Sequence, residues 1–340
     1  MLKLLKIISA LLLITGGLVI ALLAAWNYLD SPIDTAIVEP VLFEVPEGAA
    51  VARVAYLLQD ESIIRSALFF KIMSRLQHTE GQIKAGVYRM EQNLKTSDVH
   101  RMLVLGTQKL EKVTLPEGFT ARQMGKRLED NNICSQKDFL EAVYSEEIRE
   151  KYRIPAEGLE GYLYPDTYMF QQKYPALRVV AHLVDTFFKE LKNIDAGYGE
   201  LSPEALHEKI ILASIIEREY RDPAETKKMA SVFYNRLEQG MRLQSCATVV
   251  YVLTEQMGED HPSSLTYDDL EVESDFNTYK RWGLTPAPIS NPGKYALDGA
   301  FHPADTDYFY FLLKDKNAGS HVFSNNLKDH NNAYRLYIKN

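Results

Sequence analysis

Twenty consecutive residues, Ile7 to Trp26, carry no charge. At a helical rise of about 1.5 Å per residue they reach roughly 30 Å, the thickness of a bilayer core. Lys3 and Lys6 precede the run, Trp26 and Tyr28 sit where interfacial aromatics belong, and the first acid is Asp30. The positive-inside rule places the short N-terminus in the cytoplasm and everything after Asp30 on the far side of the membrane. A cleaved signal peptide is the alternative, but its apolar region is usually shorter, about 7–15 residues. No cysteine near residue 25 offers a lipid anchor. The expectation is a single-pass protein of the cytoplasmic (inner) membrane, anchored by residues 1–29, with its bulk extracytoplasmic.

That anchor divides the charge unequally. The chain holds 38 basic and 46 acidic residues; beyond Leu29 the numbers are 36 and 46, a net of −10. Such an acidic outer part argues against nucleic acid as a partner. Cys134 and Cys246 are too few for a disulfide framework and form no CxxC pair. The chain lacks a P-loop, a GxGxxG and a GxSxG motif. His302, His321 and His330 lack metal-ligand spacing, so neither a metal nor another cofactor is expected.

The outer part contains an echo. Val45-Pro46-Glu47-Gly48 is followed by an apolar helical pattern and the turn Asp60-Glu61-Ser62; seventy residues on, Leu115-Pro116-Glu117-Gly118 leads to another such pattern and Asp130-Asn131-Asn132. Residues 45–64 align with 115–134 without a gap. Both read as strand, turn, amphipathic helix, polar turn, second helix, which suggests a duplicated α/β unit. The first copy ends in a returning strand at Ala85–Met90. The second leads to an aromatic loop, Glu160–Tyr168, whose tyrosines are a candidate sugar-stacking wall.

Residues 203–220 form the strongest helix candidate, capped by Ser202 with Pro203 at its first position. At 100° per residue, Leu206, Ile210, Ala213, Glu217 and Tyr220 share one arc, and Ile211, Leu212, Ile215 and Ile216 cover much of the rest. Glu217 thus sits within an apolar stripe, where lost hydration raises a carboxyl pKa and keeps a proton available near neutral pH. The competing reading is a structural ion pair with Arg236 or Arg242. Glu219 lies about 200° away, too far round to pair with Glu217 across one bond; it is expected to be solvated or paired with Arg218 or a lysine. Asp222, Pro223, Glu225 and Gly240 punctuate the next helix as a capping box and a C-terminal stop, with Met229, Val232, Phe233 and Leu237 as its core stripe. Beyond it lie polar loops: 243–248, 276–279 and the Pro-rich 283–293, then a hairpin of Tyr308–Leu313 with His321–Ser324.

Several motifs in order resemble the endolytic murein transglycosylase (YceG-like) family. They are Ala213–Glu219, Glu160–Tyr168, Asn235–Leu237 with Met241–Ser245, Asn277–Tyr279, Gly283–Gly293, His302-Pro303 and Gly319–Ser324 with His330-Asn331. The resemblance implies an α+β protein: a transmembrane anchor (1–29), a linker (30–40), a LysM-like α/β module (41–106), a second α/β unit with the aromatic loop (107–200) and a catalytic core (201–340) built round a buried glutamate-bearing helix. It implies a lytic transglycosylase that cuts the MurNAc–GlcNAc bond within nascent peptidoglycan strands, leaves 1,6-anhydroMurNAc ends and terminates elongation. Peptidoglycan synthases (penicillin-binding proteins) are the implied partners. The family's catalytic glutamate maps onto Glu217. Gln244, Ser245, Asn277 and Tyr279, with Glu160, Tyr164 and Asn235, are the candidate substrate-binding residues. Many members carry Asp-Pro where this chain has Cys246-Ala247. Glu160 or Asp166 would serve as a second carboxylate were the enzyme a hydrolase; a non-catalytic wall-binding scaffold is the remaining alternative. A net-negative protein gains nothing from charge when its polymer carries carboxylates, so hydrogen bonds and stacking should dominate recognition.

Overall fold

In the computed structural model, residues 2–33, 41–90, 93–106, 110–315 and 318–338 are described, with side chains from Leu12 onward. The chain divides into two compact units, residues 1–109 and 110–340.

The first unit opens with α1 (Leu2–Asp30). Over Leu12–Asp30 this helix is long and apolar enough to cross a membrane. From Leu12 to Leu23 its leucines and isoleucines are exposed, while Leu29 packs on the core of the small domain. Its C-terminal end is docked on the rest of the unit: Trp26 meets Phe69 edge to face at 4.8 Å, and Asp30 accepts from Ser97 N at 2.8 Å. The small domain that follows is β1 (Val41–Val45), α2 (Val51–Asp60), α3 (Ala67–Leu76), β2 (Gly86–Met90) and α4 (Thr96–Leu105). β1 and β2 pair antiparallel, Val41 opposite Met90. Phe43, Val54, Leu58, Ile63, Phe70, Tyr88 and Leu103 close its core. Residues 34–40 of the expected linker lie outside the described residues.

The second unit begins with the same motif: β3 (Leu110–Thr114), α5 (Ala121–Asp130) and α6 (Gln136–Val143). The echo extends to backbone detail. Gly48 and Gly118 both have positive φ, as do Ser62 and Asn132, and Ile63 N donates to Leu58 O just as Ile133 N donates to Leu128 O, each at 2.9 Å. Here the returning strand is delayed. After α7 (Glu146–Tyr152) and the aromatic loop comes β4 (Thr167–Gln171), antiparallel to β3. α8 (Ala176–Ile194) and α9 (Pro203–Glu219) follow, then α10 (Thr226–Glu238), α11 (Cys246–Tyr251), α12 (Tyr267–Leu270), α13 (Lys294–Phe301), the hairpin β5 (Tyr310–Asp315) with β6 (Ser320–Ser324), and α14 (Leu327–Tyr337). The turn residues 316–317 lie outside the described set. One hydrophobic core runs through the unit from Val113 to Phe301, and α9 is central to it: Ile210 to Ile216 are all buried.

Two local expectations change. The tyrosines of the 160–168 loop form no sugar wall: Tyr162, Tyr164 and Tyr168 are core residues, Tyr164 only 8% exposed. Tyr162 hydroxyl bonds His207 Nδ1 at 2.8 Å, and Tyr168 donates to Tyr164 O at 2.7 Å. Burial of an aromatic ring with its hydroxyl satisfied is the more stable use of these side chains. Glu225 does not complete a capping box either. Asp222 accepts from Ala224 N, while the Glu225 carboxylate takes both the backbone N–H and Nδ1 of His321.

Candidate active site

The C-terminal turn of α9 places two glutamates on opposite faces, as the 200° separation requires. Ser202 caps its N-terminus by accepting from Ala205 N, Pro203 opens it, and Tyr220 ends it in extended backbone.

On one face, Glu217 Oε2 accepts from Gly293 N at 2.8 Å. The Pro116–Gly118 turn lies over this carboxyl. A Cβ placed on Gly118 would stand 3.5 Å from Glu217 Cγ, and one on Gly293 would collide with the Glu117 carboxylate at 2.0 Å. Two carboxyls therefore crowd one glycine, and the Tyr220 hydroxyl faces both. Burial first, with the Glu117 charge adding, pushes Glu217 up to about 8. The raised pKa expected from the apolar stripe is present. The ion pair with Arg236 or Arg242 is not: Arg236 donates to Phe309 O and Leu243 O, and Arg242 to Tyr279 O.

On the other face, Glu219 is neither solvated nor lysine-paired. Its Oε1 accepts from Ser245 Oγ at 2.5 Å, and Ala247 N–H also faces it. Burial raises its pKa, and these hydrogen bonds oppose the rise. The expected Arg218 charge does act on it, but the hydrogen-bonding partner is a loop 26 residues away that periodicity cannot place. Glu219 lies at the wall of an open cavity of about 390 Å³, with Arg236, Gln244, Ser245, Cys246, Tyr279, Tyr310, Leu312 and His330 among its lining. Among the described residues, Glu219 is the one carboxyl in that lining.

The predicted substrate-binding residues divide between wall and scaffold. Gln244, Ser245 and Tyr279 line the cavity. Gln244 holds φ at 51°, a left-handed conformation costly for a residue with a Cβ. Its N–H donates to Thr278 O, and Ser245 N donates to Thr278 Oγ1, which stitches the 243–246 loop to the 276–279 loop. Tyr279 hydroxyl contacts Cys246 Sγ at 3.1 Å; both cysteines are free thiols.

The other four are structural. Asn277 is 0% exposed and donates to Leu270 O and Val272 O. Asn235 clamps Thr306 O and Tyr308 O. Tyr164 is core. The Glu160 oxygens are taken by Ala121 N and Asn291 Nδ2, and burial pushes its pKa to about 8. These polar groups were read as ligands for substrate, but in this fold backbone amides and carbonyls satisfy them first.

Asn291 and Tyr310 were not named individually in the sequence, and Glu117 and His330 entered it only through a turn, a motif and a rejected metal reading. Asn291 is the hub of the Glu217 face. Its Oδ1 accepts from Gly161 N and Leu163 N, its Nδ2 donates to Phe119 O and Glu160, and its backbone carbonyl takes Gly118 N. Its one sequence signal was its place in the Pro-rich 283–293 segment.

A larger cavity, about 640 Å³, lies among Asn132–Ser135 and Gln172–Ala176. Its thiol, Cys134, is pushed up to about 12 by burial and is inert near neutral pH. His302 bonds Asp298, His321 bonds Glu225 and His330 stacks on Tyr310, and among the described residues no cluster of three metal-ligating side chains occurs.

Comparison with known proteins agrees with the motifs. An endolytic murein transglycosylase of Bacillus subtilis (strain 168) is 31% identical, the match covering 96% of this chain and 91% of that protein. One from Streptococcus pneumoniae serotype 2 (strain D39 / NCTC 7466) is 27% identical over 92% of this chain, which spans 62% of its length. The 2.6 Å crystal structure of a YceG-like protein from Listeria monocytogenes superimposes with a TM-score of 0.57 and 32% identity, covering 86% of this chain and 99% of that one. The family model described as YceG-like matches residues 43–336, and the chain belongs to the YceG-like family.

Proposed function

We propose that the chain is a membrane-anchored lytic transglycosylase that cleaves the MurNAc–GlcNAc bond within peptidoglycan strands, with Glu219 as its acid and base. The observation that carries this is the single, desolvated carboxyl in the wall of an open, polar and aromatic cavity. One carboxyl suffices for an intramolecular reaction. Glu219, protonated, donates to the glycosidic oxygen as the C1–O bond breaks and an oxocarbenium-like centre develops. The muramyl C6 hydroxyl then bonds C1, and its proton returns to the Glu219 carboxylate. No water is consumed, and the nucleophile is already held close by the sugar itself. Ser245 and the Ala247 N–H orient the carboxyl; Gln244 and Tyr279 offer hydrogen bonds to the sugar.

The relatives from Bacillus subtilis and Streptococcus pneumoniae are endolytic murein transglycosylases, which supports the reaction class. The apolar span of α1 supports anchoring in the cytoplasmic membrane with the cavity outside, where strand termination beside a peptidoglycan synthase is the role that fits. Residues 41–106 of the first unit serve in this reading as a LysM-like module.

Glu217, the residue favoured by periodicity, is the second reading for the acid: its pKa of about 8 holds a proton near neutral pH. Parallel Glu219→Gln and Glu217→Gln variants separate the two. Digests of glycan strands are read by mass spectrometry, where an anhydro end is one water lighter than a reducing end. Glu219→Gln should lose at least about a hundredfold in rate, the scale of a general acid, and Glu217→Gln far less. The reverse ranking moves the role to Glu217; reducing ends alone would make the enzyme a hydrolase.

A further inference from the structure

The rim of the Glu219 cavity carries a feature the cleavage chemistry does not use. Trp282 is 64% exposed, three residues beyond the cavity-lining Tyr279. At most about 11 Å of extended chain separates the two. The ring is nevertheless held. The Arg242 guanidinium lies 4.7 Å from its centroid, and Arg242 Nη1 donates to Tyr279 O at 3.2 Å. Arg242 itself stands two residues before Gln244, another lining residue, and the two loops are joined through Thr278. An indole is thus fixed, exposed, beside the cavity.

The loop's charges say what it suits. Lys280 is paired with Glu271 and Glu273, and Arg281 with Glu273 and Asp275. Two cations against three acids leave no positive surplus for an anionic ligand. What remains open is the aromatic surface, whose partner of choice is the C–H face of a pyranose ring.

We infer that Trp282, backed by Arg242, forms a second saccharide platform that stacks a sugar ring of the glycan strand beyond the unit held at Glu219. This rests on the glycan-cleaving reading above. It makes the enzyme's affinity depend on strand length, since short substrates cannot reach the platform.

The chain has two tryptophans, Trp26 in α1 and Trp282. In the full-length protein in detergent, Trp26→Phe leaves Trp282 as the sole tryptophan reporter, and adding both Glu217→Gln and Glu219→Gln prevents turnover whichever glutamate is the acid. Titration with glycan strands freed of stem peptides should shift and quench the Trp282 emission. In the active background, Trp282→Ala should raise KM about tenfold on long strands and less than twofold on the shortest cleavable ones, with kcat within twofold; Trp282→Phe should recover most of the loss. Unchanged emission, an unchanged KM, or a loss equal at every strand length overturns the platform. If the wild-type chain cuts no glycan while emission still responds, the platform stands and the reaction assignment fails.

Discussion

Replacing Glu217 by glutamine tests the carboxyl cluster beneath the Pro116–Gly118 turn. In the folded protein burial and the nearby Glu117 hold the Glu217 pKa at about 8, against 4.5 for a free glutamate. The native state therefore keeps a proton that the unfolded chain releases. Below pH 4.5 both states are protonated and the buried acid costs nothing. As pH rises from 4.5 to 8 the unfolded chain ionises first, so stability falls across that window and levels off above it. A shift of 3.5 units at 1.36 kcal/mol each gives at most about 5 kcal/mol, or about 1.4 kcal/mol per pH unit at the steepest part. Glutamine resembles the neutral acid and keeps an acceptor for Gly293 N. The stability of Glu217→Gln relative to wild type should thus improve by up to about 5 kcal/mol between pH 4.5 and 8. Glu160, also raised to about 8, imposes its own slope on both proteins and cancels in the difference. Urea unfolding followed by Trp282 emission in a Trp26→Phe background reads the unit 110–340 directly. Parallel stability curves for the two proteins across this range would show that Glu217 is ionised in the native state, and the burial argument would fall.

Asn291→Ala removes four side-chain hydrogen bonds and strands the amides of Gly161 and Leu163 in the core. At about 1–3 kcal/mol per buried orphan, the loss should be about 3–5 kcal/mol, visible as a melting-temperature drop of roughly 6–20 °C; a drop under about 2 °C would deny its role as hub. Cys246→Asp places a carboxylate in the cavity wall beside Glu219 and should move the alkaline limb of the cleavage-rate profile upward by on the order of one pH unit. A limb that stays put would mean that Glu219 is not the titrating acid.

Local patterns carried far in this sequence. The Pro-Glu-Gly repeat marked two copies of one α/β unit, and the correspondence holds down to matching positive-φ residues at 62 and 132. The Ser202-Pro203 start and the apolar wrap of α9 were equally plain. What periodicity gives is the angle at which a side chain leaves its own helix. It showed that Glu217 and Glu219 face apart, but not which face meets an open cavity. That depends on the 243–248 and 276–282 loops, whose course is set by tertiary hydrogen bonds such as Gln244 N to Thr278 O. The same blindness made ligands of Asn277 and Asn235. A polar residue in a loop motif looks alike whether it waits for substrate or holds a carbonyl.

The two glutamates of α9 divide the work of one helical turn. Both are desolvated and both are raised, so pKa alone does not tell them apart. Their surroundings do. Glu217 stands against the Pro116–Gly118 turn and Gly293, beside a second carboxyl and the Tyr220 hydroxyl, and is half-buried. These contacts suit a lock between α9 and the loops that cross it. Glu219 keeps one side toward a cavity large enough for a sugar ring, and its hydrogen bonds come from a serine and a backbone amide that fix its orientation. A proton donor must touch its substrate, and the proposal of Glu219 as the acid rests on that cavity rather than on basicity. The rigid packing around Glu217 then has a use of its own: it anchors the turn on which Glu219 is presented, so that the acid meets the glycosidic oxygen without first having to be ordered.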